Sequence, residues 1–341
     1  METIKVGING FGRIGKCTFL QLLENPKFEI KVVNTSLSIN SIQRYINRDS
    51  SHHCKQYKVD IMFDSFITIN GNRIKIINQR NPKEIDWKEL EVDYLFETTG
   101  AFLTREKLSQ HNAPYIILSS PPKDTNDITM FCFGVNHYRY KEENIFSVAS
   151  CTTNCLSPFL DLANHVSTIE EASFITVHSA TSSQSVTDAS HDNKRTNRSI
   201  FNNIIPHTTG ASNCVTKIIP SLEGKIVGTS VRVPVSIVSM IDVNLRFSEK
   251  ITISKFFEVL EKFRNPEVVD INYDNCVSSD FATTTRPTII DYQNCLQIGE
   301  DSIKFTLWYD NEWSYCAQMI RMCQFASQVN KKDEFNSVSS L

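Results

Sequence analysis

Gly7-Ile8-Asn9-Gly10-Phe11-Gly12-Arg13-Ile14-Gly15 decides the fold of this chain. It ends an apolar run, residues 4–8, that reads as a buried strand. It opens residues 14–23, where Ile14, Cys17, Phe19, Leu20 and Leu23 fall largely on one side of a helix. The G-x-G-x-x-G at positions 10, 12 and 15 therefore lies at a strand–turn–helix junction. There Gly10 allows a tight turn, Gly12 lets the backbone approach a pyrophosphate, and Gly15 lets the helix pack close to the strand. The helix start offers unpaired N–H groups to the anion. Dinucleotide binding is the expectation, against the plainer alternative of a glycine-rich turn that only packs.

Outward from this point, strand-like runs alternate with helical ones. Residues 30–33 read as a strand and 39–46 as a helix. Residues 67–69 and 73–77 flank Asn70-Gly71, a hairpin signal. Further strand candidates are 94–96, 115–118, 130–133 and 145–148. This alternation predicts a doubly wound, mostly parallel α/β sheet of the Rossmann type over residues 1–150. The pattern then changes. A helix at 152–166 is followed by long strand-like stretches at 172–177, 226–233 and 237–247, a helix at 253–263 and a strand at 305–309. These predict an α+β domain with a mostly antiparallel sheet over 151–314. A closing helix within 315–341 is expected to pack back on the first domain. Residues 179–212 lack periodicity, and a loop of that length in a compact domain is usually functional.

Composition fits this reading. The chain has 341 residues, enough for about two domains. Its 40% hydrophobic and 21% charged content is that of a globular protein. A net charge of −3 gives no footprint for nucleic acid or an anionic membrane. No apolar run approaches the roughly 20 residues that span a bilayer. Met1-Glu2-Thr3 enters a strand at once, without a leader pattern, so a cytoplasmic location is expected. The 10 cysteines form no C-x-x-C pair, which argues for mostly buried thiols in a reducing compartment. His52-His53-Cys54 are neighbours on a loop and do not converge on one ion, so no metal is predicted.

Chemistry enters at Ala149-Ser150-Cys151-Thr152-Thr153-Asn154-Cys155, immediately before a helix. A thiol at a helix N-terminus sits near N–H groups and a positive dipole end, which favour the thiolate. Cys155, one turn on, reads as a small buried spacer. A nucleophilic cysteine needs a base. His178 ends a strand just before the long loop, which makes it the best of the eight histidines. The second strand ends Val32-Val33-Asn34-Thr35-Ser36, with no acid for an adenosine ribose 2′-OH. Hydroxyls and amides there can bond a 2′-phosphate, so the missing acid points to NADP or to dual use, or to an NAD site lacking one bond.

These residues carry a resemblance. Residues 9–15 and 150–156, Thr176-Val177-His178, Asn203-Ile204-Ile205-Pro206, Thr209-Gly210-Ala211, Arg232-Val233-Pro234 and Trp308-Tyr309-Asp310-Asn311-Glu312-Trp313 occur in this order. Together they resemble the phosphorylating glyceraldehyde-3-phosphate dehydrogenases, over nearly the whole chain. The resemblance implies that Cys151 attacks the aldehyde and His178 takes the hydroxyl proton and, as imidazolium, helps keep the thiol ionised. Hydride transfer leaves an acyl thioester, which inorganic phosphate resolves. It implies that Thr181 and Arg232 hold the phosphate of glyceraldehyde 3-phosphate. Ser150, Thr152, Thr209 and Gly210 would line the site of the attacking phosphate. Asn311 would bond the nicotinamide and Tyr315 pack near it. Asn9, Gly10, Gly12, Arg13, Ile14, Arg80, Thr99 and Ser119 fall at the family's dinucleotide positions. It also implies a homotetramer and a glycolytic or gluconeogenic role.

Departures matter too. Thr35 stands where NAD-specific members have Asp, and Asp188-Ala189-Ser190-His191 resembles the NADP-using photosynthetic members. In the family, this loop from a neighbouring subunit reaches the adenosine ribose. NADP, preferred or shared with NAD, is thus the expected cofactor. Ser314 and His53 replace usual glycines. The alternatives are an erythrose-4-phosphate dehydrogenase, in which water resolves the thioester, and a paralogue retained as a binding protein.

Overall fold

The computed structural model describes residues 3–52, 55–63, 65–190 and 192–338. His53, Cys54 and His191, named above, lie outside them. The chain divides into two units, Met1–Ser150 with Cys316–Leu341, and Cys151–Tyr315.

The first unit opens with β1 (Ile4–Asn9), α1 (Arg13–Leu23), β2 (Phe28–Asn34) and α2 (Ile39–Asn47). Next come β3 (Val59–Met62), β4 (Phe66–Ile69), β5 (Asn72–Ile77), β6 (Tyr94–Glu97), the short α3 (Arg105–Leu108), β7 (Tyr115–Leu118) and β8 (Ile145–Ser147). The sheet order is β3-β4-β5-β2-β1-β6-β7-β8, and every pairing from β5 to β8 is parallel. β1 is buried at nearly every position, as a strand with both faces covered should be. Winding reverses between β1 and β6, and such a switch opens a crevice beyond the carboxyl ends of the strands. Gly10 makes the turn out of β1 with φ +93. A Cβ on Gly15 would come within 2.2 Å of the Gly10 carbonyl oxygen, so only glycine lets α1 lie this close.

The strand expected at 130–133 is not formed. Met130 makes one bridge, with Ser147. The Asn136 side chain then takes over the ladder, accepting from Cys132 N–H at 2.7 Å and donating to Met130 O at 2.9 Å.

The second unit contains α4 (Cys151–Val166), β9 (Ile169–His178), β10 (Ile205–His207), α5 (Ala211–Ile218), β11 (Ile226–Arg232), β12 (Ser239–Phe247) and α6 (Ile253–Phe263). It continues with β13 (Val269–Asn272), β14 (Thr288–Asp291), β15 (Leu296–Ile298) and β16 (Ser302–Tyr309). The order is β10-β11-β9-β12-β16-β14-β13, with β15 on β16. β11/β9 and β13/β14 run parallel and the other pairs antiparallel, so the sheet is mixed and mostly antiparallel. Along β12 buried and half-buried residues alternate, the period-two mark of a sheet with one face on the core. Phe159 of α4 and Phe256 of α6 meet Phe305 of β16, with centroids 4.9 and 4.7 Å apart. Among the described residues of 179–212, the regular structure is a short turn of 3-10 helix, β10 and the start of α5.

α7 (Trp313–Val338) starts in the second unit, where Asp310 Oδ1 accepts from the N–H groups of Glu312 and Trp313 at 3.0 and 2.8 Å. From Cys316 onward it belongs to the first unit. Gln318 Nε2 donates to Phe133 O at 2.9 Å, and Asn330 Nδ2 to the Tyr94 hydroxyl at 2.7 Å.

Candidate active site

Cys151 is the first residue of α4, and His178 is the last of β9. Ala149, two residues before Cys151, takes a left-handed φ of 54. Although 27 positions apart in the chain, Cys151 Sγ and His178 Nε2 stand 3.5 Å from each other. His178 is buried, whereas Cys151 keeps part of its surface open. The Tyr309 hydroxyl ties the floor together, bonding Thr152 Oγ1 at 3.0 Å and Thr176 Oγ1 at 2.9 Å.

Electrostatics modify the expected ion pair. Burial pushes the Cys151 thiol up, against the Arg232 charge, the Thr152 hydroxyl and the N–H groups at the start of α4. Burial, reinforced by the Arg232 charge, pushes His178 down to about 3. Both shifts favour thiol and neutral imidazole, so this arrangement does not favour the thiolate–imidazolium pair. Arg232, at the end of β11, points Nη1 at His178 Nδ1 and at Ser179 O, the latter at 3.2 Å. His178 Nδ1 also lies 2.8 Å from Ser179 O. These partners exclude one another. Arginine can only donate and needs a bare Nδ1, whereas the carbonyl needs Nδ1–H. Only the second tautomer leaves Nε2 free to accept a proton. The buried Nε of Arg232 has no hydrogen-bond partner among the described residues, which suits a guanidinium meant for an anion.

The other expected phosphate residues are placed as follows. Ser150 adjoins Cys151. Thr181 Oγ1 bonds Ser183 Oγ and Gln184 Oε1, both at 3.0 Å. Thr209 Oγ1 accepts from Ala211 N–H at 3.2 Å, and Gly210 caps α5. β10 pairs with β11, setting Ile205 opposite Arg232. Asn311 Oδ1 accepts from Ser179 Oγ at 2.9 Å and Ser239 Oγ at 3.0 Å, which leaves Nδ2 as the donor this side chain offers. Ala189 and Ser190 are exposed on the loop, and Tyr315 is buried in the first turn of α7.

In the first unit, the β1/β6 switch opens into a cleft of about 560 Å³. Asn9, Gly10, Gly12, Thr35, Arg80 and Thr99 line it, as do Asn34 and Gln79. Among the described residues, Arg80 is the one charged lining residue, and no carboxylate lines the cleft. Of the expected cofactor residues in this unit, three lie outside the lining. Arg13 turns its guanidinium to Asp49 at 2.6 Å and His52 at 3.1 Å. Ile14 accepts at its carbonyl from Cys316 Sγ at 3.4 Å, and Ser119 N–H bonds Glu97 O at 3.1 Å.

Residues 4–105 match the family described as glyceraldehyde 3-phosphate dehydrogenase, NAD binding domain, and residues 150–311 match its C-terminal domain. This chain belongs to the glyceraldehyde-3-phosphate dehydrogenase family. Full-length relatives agree. The glyceraldehyde-3-phosphate dehydrogenase of Sclerotinia sclerotiorum is 35% identical over 97% of this chain and 100% of its own length. The chloroplastic enzyme A of Chlamydomonas reinhardtii is 34% identical over 96% of this chain and 90% of its own. The Buchnera aphidicola enzyme is 34% identical over 95% and 99%. The family is one of oxidoreductases that use a nicotinamide dinucleotide, and the cleft fits such a group. Its Gly10–Gly12 turn leads into the start of α1, and among the described residues no acid on its wall opposes a phosphate.

Sequence reasoning missed the residues that hold these groups in place. Tyr309, Ser179 and Ser239 sit within motifs or strands but find their partners 60 to 157 positions away. Their signal was residue type alone, a polar group in an apolar strand.

Proposed function

We propose that this protein oxidises glyceraldehyde 3-phosphate, with uptake of inorganic phosphate, to 1,3-bisphosphoglycerate, reversibly and through an acyl thioester on Cys151. The observation that carries this reading is the 3.5 Å approach of Cys151 Sγ to His178 Nε2 at the start of α4, with Arg232 beside them.

Arg232 and Thr181 hold the substrate phosphate. The guanidinium offers a permanent charge in a planar donor fork. Engaging an anion draws it from His178 Nδ1, which then donates to Ser179 O and leaves Nε2 as a base. His178 Nε2 takes the thiol proton as Cys151 Sγ adds to the aldehyde carbon and passes it to the new oxygen, which faces the N–H groups at the start of α4, where developing negative charge is stabilised. His178 Nε2 takes the hydroxyl proton of the hemithioacetal. The bound dinucleotide supplies the hydride acceptor. Ser150, Thr152, Thr209 and Gly210 receive inorganic phosphate, which attacks the thioester and releases the acyl phosphate. Asn311, held by two serine hydroxyls, would offer Nδ2 to the nicotinamide carboxamide, and Tyr315 would pack near the ring.

NADP is the preferred or shared cofactor, beside NAD. Thr35 Oγ1 accepts from Leu37 N–H at 3.1 Å, so its own proton stays available to a phosphate. Ser36 and Arg80 line the same cleft. Arg13, Ile14 and Ser119 contribute from behind the lining. Ala189 and Ser190 complete the ribose site from a neighbouring subunit of a homotetramer. The place of action is the cytoplasm, in glycolysis or gluconeogenesis.

Turnover of glyceraldehyde 3-phosphate with NADP and NAD, with and without inorganic phosphate, tests this reading. The expected result is loss of steady turnover without phosphate and no strong preference for NAD. An unchanged rate without phosphate would refute the phosphorylating reaction and favour hydrolysis of the thioester.

A further inference from the structure

Behind the wall of the dinucleotide cleft lies a carboxylate that no step above uses. Glu97 ends β6 at the β1/β6 switch and is fully buried. Its Oε1 accepts from the Thr99 N–H at 2.8 Å and from the Thr99 hydroxyl. Its Oε2 accepts from Asn9 Nδ2 at 2.5 Å and faces His111 Nε2 at 3.4 Å. His111 Nε2 makes no hydrogen bond among the described residues, and Glu97 Oε2 is the polar group it faces.

Both ends of this chain of contacts are fixed by groups that can only donate. At one end, the Trp87 indole N–H donates to His111 Nδ1 at 3.3 Å. That puts the proton of the neutral ring on Nε2, toward Glu97. At the other end, the Gln79 backbone N–H donates to Asn34 Oδ1 at 2.9 Å. Asn34 Nδ2 therefore donates to Asn9 Oδ1 at 2.7 Å, and Asn9 Nδ2 donates to Glu97. Donors face this side chain from both sides, so the place suits a group that accepts on both oxygens. An amide there would set donor against donor in a buried network, which tolerates such a mismatch poorly.

Asn9, Asn34, Gln79 and Thr99 all line the cleft. We propose that Glu97 is a positioning residue for dinucleotide binding: supported by His111, it fixes the side-chain orientations of Asn9, Asn34 and Thr99, and with them the wall that the cofactor meets. Ordering the wall in advance spares binding that cost. Phe102, which also lines the cleft, packs edge-on against His111 with centroids 4.8 Å apart, a second link from this network to the wall. The inference rests on the reading of this cleft as the dinucleotide site.

Glu97→Gln, His111→Leu and His111→Gln test it. NAD and NADP are titrated against tryptophan fluorescence well below the unfolding temperature, and Cys151 alkylation by iodoacetamide is followed without dinucleotide. Glu97→Gln and His111→Leu should each weaken both dinucleotides about tenfold or more, with alkylation within about twofold of wild type. His111→Gln should recover most of the loss, because its amide offers an oxygen to Trp87 and an N–H to Glu97. If Glu97→Gln does not fold, the His111 pair decides. Unchanged affinity in the folded variants, or a His111→Gln no better than His111→Leu, overturns the proposal. Failure of wild type to bind either dinucleotide would instead remove the reading of the cleft itself.

Discussion

Replacing Arg232 with leucine should raise the pKa of His178. The guanidinium reaches His178 Nδ1, and its charge is the second cause, after burial, of a value of about 3. Two unit charges about 4 Å apart at an effective dielectric near 20 interact by about 4 kcal/mol, or about 3 pKa units. That is a ceiling, because charges at a partly open site are screened. Burial, the larger cause, remains in the variant. A rise of about 1–2 units is therefore expected. The sign for stability follows. With its pKa depressed, folded His178 binds fewer protons than the unfolded chain. The group therefore costs stability progressively as pH falls from the ordinary value of 6.5 toward 3, and costs nothing above that window. Arg232→Leu should narrow the window from below. Sulfate added to wild type should move His178 the same way, by drawing the guanidinium onto the anion. An NMR titration of the nitrogen-15-labelled imidazole, assigned with a His178→Asn control, measures both. A shift below about 0.3 units in the variant would show that burial alone sets the value and refute the coupling.

Two further substitutions probe the cofactor unit. Gly15→Ala should cost about 1–3 kcal/mol of stability and weaken both dinucleotides, since its Cβ would stand 2.2 Å from Gly10 O and 2.9 Å from Thr98 Oγ1. Thermal melts and dinucleotide titrations check this. Thr35→Asp places a carboxylate on the cleft lining and should shift the ratio of kcat/KM for NADP over NAD by about tenfold toward NAD, about 1.4 kcal/mol. An unchanged ratio would remove Thr35 from the discrimination.

Local signals were legible wherever one element decides its own structure. The first strand–turn–helix unit is one case. Residues 253–263 are another, and they form α6 as read. The Asn70-Gly71 turn is a third, with φ of 50 and 81 at its two residues. β3, β10, β13, β14 and β15 were not legible. Each is three or four residues long, and pairing with distant chain rather than its own pattern makes it a strand. Residues 130–133 show the converse, an apolar run held to a single bridge because one asparagine claims the backbone of Met130 and Cys132. Lys16 marks another limit. It sits fully buried on α1, where its ammonium finds Asp49 at 2.8 Å, and no helical period announces a buried ion pair. At the site, Cys151 and His178 were readable as the start of a helix and the end of a strand. The Arg232 contact with His178 and the Glu97 network were not, because both arise from strand order, which sets residues 54 and 88 positions apart side by side.

The most direct test of a thioester on Cys151 is a single-turnover experiment without inorganic phosphate. Glyceraldehyde 3-phosphate and excess oxidised dinucleotide are mixed with the enzyme, reduced cofactor is followed by absorbance, and the acid-quenched protein is mapped by mass spectrometry. The account predicts a burst of about one reduced cofactor per chain, an acyl adduct confined to the peptide carrying Cys151, and steady turnover once phosphate is added. No burst with a dinucleotide shown to bind, or a burst with no adduct on Cys151, would contradict it.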